Sequence, residues 1–168
     1  MYAPNIVTFA DAVKVSVDTA RKSWQFKWNN DVTGNYTRQI IPRVGVKIRL
    51  PEDRNVAISY YRLLLHNTML KEDAIAYRTG LSDTPVCEYG YDRESAEHYL
   101  LHCTRHHEAR SELRDAVDDI LESVKEEKHL TERLLLAPYN QSENISRKQA
   151  RHIKEALFQF IVVTRRKL

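Results

Sequence analysis

A chain of 168 residues with 42% apolar residues, 29% charged residues, 4 Gly and 5 Pro holds enough apolar material for a core and too little linker composition for a disordered segment. Its longest apolar runs, such as Leu63 to Leu65 and Phe160 to Val163, fall far short of a membrane span, and no basic stretch followed by an apolar signal segment opens the chain, so an intracellular protein, nuclear or cytoplasmic, is expected. Two cysteines exclude a disulfide framework, and a formal net charge of +3 permits nucleic-acid binding without arguing for it.

From Phe9 to Trp28 the residues Phe9, Val13, Val17, Ala20, Trp24 and Trp28 recur every three or four positions, the period of an amphipathic helix, with Thr8 and Asp11 placed to cap its start. The two tryptophans are expected to anchor it to a core. Lys14, Arg21, Lys22 and Lys27 lie mostly off the stripe, either as a solvated flank or as contacts to phosphates. Asn29 to Gly34 is turn chemistry. Tyr36 to Ile41 then reads as a strand ending at Pro42, and Val44, Val46, Ile48 and Leu50 alternate as a second, which predicts a short β-hairpin-like or extended segment near 35–50.

Asp53 opens the next helix, which aligns Val56, Tyr60, Leu63 and Leu64, and Thr68 to Thr79 reads as a second short helix closed by Gly80, giving a helical hairpin. Past the cysteine region, Thr104 to Glu127 is a charge-rich helix expected to turn Ala109, Leu113, Val117, Ile120 or Leu121, and Val124 inward. Leu130 to Leu136 is a short apolar segment stopped by Pro138, and Tyr139 to Asn144 is a polar linker. Ser146 caps a last helix with Ala150, Ile153, Leu157, Phe158, Ile161 and Val162 on its apolar face; its basic end, Arg165, Arg166 and Lys167, suits either the helix dipole or nucleic acid. The expected architecture is mostly α, a bundle of about five to six helices with one extended segment and a Cys/His knuckle. Segments 1–50, 51–128 and 129–168 are expected to form one compact domain. Net charge runs +5 over residues 1–50, −4 over 51–100 and +2 over 101–168, so the ends are the basic parts.

The chemistry concentrates between Val86 and Cys103. Cys87 follows Pro85 in a loop and precedes Gly90, as in a metal knuckle, while Glu94 to Leu101 is helical in character and carries His98 and His102 four positions apart, on one face. Cys103 lies five positions from His98 and joins that face only if the helix ends there. Zinc takes four ligands, usually thiolates and imidazoles. Cys87, His98 and Cys103 supply three; His102, His106 and His107 are candidates for the fourth, and Tyr89 and Gly90 stand where a second knuckle cysteine would complete the set. The other reading makes both cysteines small buried hydrophobes. No oriented nucleophile, acid/base pair or Gly-rich phosphate loop can be picked out, so no enzyme active site is expected.

The segment from Tyr60 to Leu113 resembles the C-terminal region of reverse transcriptases of non-LTR (LINE-type) retrotransposons. The matching elements are Arg62-Leu63, His66, Gly80-Leu81-Ser82-Asp83-Thr84-Pro85, Cys87, Gly90, Glu94, Glu97-His98 and Cys103, and upstream Trp24, Trp28, Thr33-Gly34 and Ile41-Pro42 are similar to the same family's approach to that region. The resemblance implies zinc bound through Cys87, His98 and Cys103, with Tyr89 in place of the second cysteine of a Cys-x-Cys-Gly turn, and contact with RNA or DNA. The family's polymerase, ribonuclease H and endonuclease residues are absent from these positions. A non-catalytic, nucleic-acid-binding tail of the polyprotein is therefore expected, and the alternative is a vestigial retroelement-derived helical domain, structural or protein-binding, without metal.

Overall fold

The computed structural model describes residues 8–46, 48–90, 92–125, 129–138, 144–166 and 168, and it divides into two compact units, Met1–Ile48 and Arg49–Leu168. In the first unit, helix α1 (Phe9–Asn30) starts at a capping box in which Thr8 and Asp11 satisfy each other's backbone N–H groups. It buries none of its residues. Trp24 is 57% exposed and so is not a core anchor, whereas Trp28 is half-buried and donates its indole N–H to the Ile41 carbonyl at 3.1 Å. Gln25 extends this contact: its amide donates to the Pro42 carbonyl and accepts from the Val44 N–H, each at 2.8 Å.

The hairpin expected near 35–50 does not form; no strand occurs among the described residues, and Asn35–Ile40 is the short helix α2. Local chemistry overrides β propensity here. The Asp31 carboxylate accepts from the Thr33 N–H at 2.8 Å, Gly34 takes up a left-handed conformation (φ 69°), and the chain enters a helical turn that buries Ile40. Gly45, also left-handed (φ 75°), breaks the alternating run that was to be the second strand.

The second unit is helical and organised around its last helix. Helix α3 (Arg54–Leu65) is capped by the Asp53 carboxylate, which accepts from the N–H groups of Asn55 and Val56, and it buries Val56, Tyr60, Leu63 and Leu64 as its periodicity predicts. Helix α4 (Lys71–Ala76) is shorter than expected because Arg78, not Gly80, is the first left-handed residue after it. Helix α5 (His107–Ser123) buries Leu113, Val117 and Leu121 but also Arg110, where the periodicity pointed to Ala109. Helix α6 (Glu132–Leu136) buries all of Leu134, Leu135 and Leu136.

Helix α7 (Arg147–Thr164) opens at a Ser146/Gln149 capping box and packs against α5, α3 and α6. It buries Ala150, Ile153, Leu157, Phe160 and Ile161; Phe160 lies inside where Phe158 was expected, and Val162 is exposed. Each fully buried aliphatic side chain of this set contributes about 1.5–3 kcal/mol. Two hydrogen bonds tie the helices together: the Tyr60 hydroxyl donates to the Leu136 carbonyl at 2.7 Å, and the Tyr99 and Thr164 hydroxyls meet at 2.6 Å. The polar linker expected over Tyr139 to Asn144 lies almost wholly outside the described residues. No described helix is long and apolar enough to cross a membrane.

His66 ends α3 in a left-handed conformation (φ 50°), and its Nε2 lies 3.3 Å from a Glu132 carboxylate oxygen at the start of α6. That hydrogen bond raises the His66 pKa against the opposing effect of partial burial. A raised histidine pKa stabilises the fold fully below the unfolded value and ceases to do so as pH rises through the folded value. His66→Gln is therefore expected to remove a component of stability that is present near pH 5.5 and gone by about pH 8.5. Urea denaturation across that range checks it, and equal wild-type and variant pH profiles would contradict it.

Candidate metal centre

The centre is built from a bridge-closed turn and two successive non-α turns. Val86 and Arg93 form an isolated antiparallel bridge; the Cys87 N–H donates to the Asp92 carbonyl at 2.7 Å and the Glu94 N–H to the Pro85 carbonyl at 2.8 Å, so Cys87 to Asp92 is held as a tight loop. Within it the Tyr89 N–H donates to Cys87 Sγ at 3.4 Å, an arrangement that favours a thiolate. The buried Glu94 fastens the loop to its surroundings. Its carboxylate accepts the Lys71 N–H at the start of α4 and pairs with Arg166, just beyond α7.

On the other side, His98–His102 is a π-helical turn, closed by the Cys103 N–H donating to the His98 carbonyl at 2.7 Å. Positions five apart on an α-helix point about 140° away from each other. The wider i to i+5 turn brings them back to one side, which removes the spacing problem that the sequence poses at His98 and Cys103. A 3₁₀ turn, Thr104–His106, follows at once, and Thr104 N–H reaches back to the Tyr89 carbonyl at 3.2 Å.

Cys87, His98 and Cys103 are all buried, and their ligand atoms lie within 4.8 Å of one another. The sulfur atoms are 3.8 Å apart, and both cysteines are free. Two thiolates at zinc–sulfur distances of about 2.3 Å around a tetrahedral centre stand about 3.8 Å apart. Neither ring nitrogen of His98, a residue only 3% exposed, has a hydrogen-bond partner. Leaving both polar atoms of a buried imidazole without a partner costs roughly 1–3 kcal/mol each, a cost that a metal bond at one nitrogen would offset. Gly90 makes room for that ring, since a Cβ at this position would sit 3.1 Å from His98 Cε1.

Burial holds His98 below the usual imidazole range and therefore neutral, and burial pushes the Cys87 thiol up. The residues thus fit a metal whose binding displaces a thiol proton but no imidazole proton. His102, expected to share the face of His98, is exposed and outside the 4.8 Å group, because the π turn changes the register that an α-helix would give. His107 is exposed as well, while His106 is buried. Tyr89 is 44% exposed, with the Arg105 guanidinium 5.1 Å from its ring centre.

Among the residues expected to meet nucleic acid, Lys14, Arg21, Lys22 and Lys27 are exposed on α1, Arg165 is exposed after α7, and Arg166 is partly buried by its pairing with Glu94. Lys167 lies outside the described residues. A cavity of about 70 Å³ is lined by Cys87, Cys103, Tyr89, Arg105, His106 and Arg166, among others. A groove of about 510 Å³ between α3 and the end of α7 sets Arg62, Arg165 and Arg166 beside Ile58, Met69 and Val162.

Arg110 is the residue that sequence reasoning missed. It is 6% exposed, and its guanidinium donates to the carbonyls of Leu100 (2.9 Å), Tyr99 (3.3 Å) and Cys103 (2.6 Å), at the buried C-terminal end of the π turn. A helix end leaves its last carbonyls without partners, and Arg110 supplies them. Comparison with protein-family models, curated proteins and solved structures finds no match to this chain.

Two outcomes follow from this geometry. Arg110→Met leaves three buried carbonyls unsatisfied and should cost at least about 3 kcal/mol in urea denaturation; a loss under about 1 kcal/mol would contradict the capping role. Because the Cys87 thiol must lose its proton, zinc affinity measured by chelator competition should rise at least about tenfold per pH unit from about pH 6 to about pH 8. A flat profile would exclude thiolate ligation.

Proposed function

We propose that the chain is a nucleic-acid-binding module from the C-terminal end of a non-LTR retrotransposon reverse transcriptase, non-catalytic by itself, whose Arg49–Leu168 unit is stabilised by zinc. The observation that carries the reading is the convergence of Cys87, His98 and Cys103, the residues on which the resemblance rests, at a sulfur–sulfur distance of 3.8 Å around an imidazole with no other partner. Two thiolates and an imidazole favour zinc over hard cations such as Mg²⁺ or Ca²⁺. The zinc would be structural: it joins the Cys87 loop to the π turn, and with them α4, α5 and the end of α7.

Arg166 supports the nucleic-acid half of the reading. It lines both the cavity beside the cysteines and the larger groove that holds Arg62 and Arg165, so cations border two adjoining concavities. Phosphate contacts would come from these arginines and, on the first unit, from Lys14, Arg21, Lys22 and Lys27. A second reading, a retroelement-derived helical domain that binds protein or serves only structure, draws on a different observation. Lys71 and Arg166 already face Glu88 and Glu94, which lowers the positive potential at the centre.

Fluorescence anisotropy with single-stranded RNA and duplex DNA over a range of salt separates the two. The module reading predicts binding that weakens linearly in log–log form with salt, and a slope reduced by about 1 in Arg165→Ala. Absence of salt-dependent binding to either nucleic acid would leave the second reading standing.

A further inference from the structure

We propose that His106 is the fourth metal ligand, so that the centre is a Cys2His2 site in which a buried imidazole at the start of α5 takes the place of the missing knuckle cysteine. The inference rests on the metal reading above and goes beyond it by assigning a residue that lies outside the cysteine turn. In a 3₁₀ turn the side chains of residues three apart eclipse. Cys103 and His106 are so related: Cys103 precedes the Thr104–His106 turn, and the His106 N–H donates to the Cys103 carbonyl at 3.2 Å. The π turn therefore aligns His98 with Cys103, and the 3₁₀ turn aligns His106 with the same cysteine.

Burial discriminates among the neighbouring histidines. His106 is 8% exposed, whereas His102 and His107 are exposed. The His106 side chain makes no hydrogen bond among the described residues; its ring packs against Tyr99 (5.3 Å between centroids) and Phe160 (6.2 Å) and lines the same 70 Å³ cavity as both cysteines. Its nitrogens lie outside the 4.8 Å cluster, so ligation requires the ring to turn toward the two cysteines, with which it lines one cavity.

Cobalt(II) titration of the full chain, followed by absorption and by competition with a chelator, tests this assignment on wild type, His106→Phe, His106→Ala and His106→Phe/Tyr89→Cys. Wild type is expected to bind one cobalt with a four-coordinate spectrum. His106→Phe keeps an aromatic ring between Tyr99 and Phe160; it should lower affinity on the order of 100-fold or more and make the spectrum respond to added imidazole. Tyr89→Cys in that background should restore affinity and add thiolate charge-transfer intensity. Wild-type affinity and spectrum in both single variants would overturn the His106 assignment while leaving the three-ligand centre intact. No cobalt binding by wild type would overturn the metal reading and this assignment together. A test that needs no variant is a long-range ¹H–¹⁵N spectrum of the wild type with zinc: two imidazoles should shift to metal-bound values, and one alone would overturn the proposal.

Discussion

The guanidinium of Arg110, buried against the carbonyls of Tyr99, Leu100 and Cys103, is the interaction on which the rest of the centre depends. A π turn followed directly by a 3₁₀ turn interrupts the regular i to i−4 ladder and strands carbonyl groups in the interior. Arginine answers this with several donors held in a rigid plane; lysine, a point charge on a flexible stem, could not bridge three acceptors in the same way. Burial lowers the Arg110 pKa, and the sulfur of Cys103 is the first influence that raises it. The residue that holds the turn therefore also lies against the cysteine that the turn presents.

From this point the structure reads outward in both directions along the chain. Toward the N-terminus, Glu94 joins the cysteine loop to the start of α4 and, through Arg166, to the residues just past α7. Toward the C-terminus, Tyr99 in the π turn meets Thr164 in the last turn of α7, and Phe160 packs on both Tyr99 and His106. The core helix and the candidate metal centre therefore share side chains. A metal held there would add its binding free energy to the stability of the whole Arg49–Leu168 unit, as in small domains that fold around zinc.

Helical periodicity made α3, α5 and α7 legible, because each carries a stripe at the α-helical repeat and a recognisable cap, Asp53 or Ser146, at two of the three starts. The candidate set of Cys87, His98 and Cys103 was legible from residue type and spacing. What the sequence hid was backbone geometry that departs from the α repeat: His98 and Cys103 looked mismatched and His102 looked well placed only while an ideal helix was assumed. Arg110 was hidden for another reason, since one buried arginine in a helix dense with charge leaves no periodic signal. Near 35–50 the β-branched residues were outweighed by an Asp31–Thr33 turn and a left-handed Gly34, and the apolar stripe of α1 did not imply burial.

X-ray absorption spectroscopy of the zinc-loaded full chain tests the central claim most directly, because it counts donor types around the metal without reference to function. Ligation by Cys87 and Cys103 predicts two sulfur neighbours at about 2.3 Å, with the remaining shell made of nitrogen at about 2.0–2.1 Å. A first shell of oxygen and nitrogen only would contradict the account, because zinc would then be bound away from the two cysteines that the fold brings together.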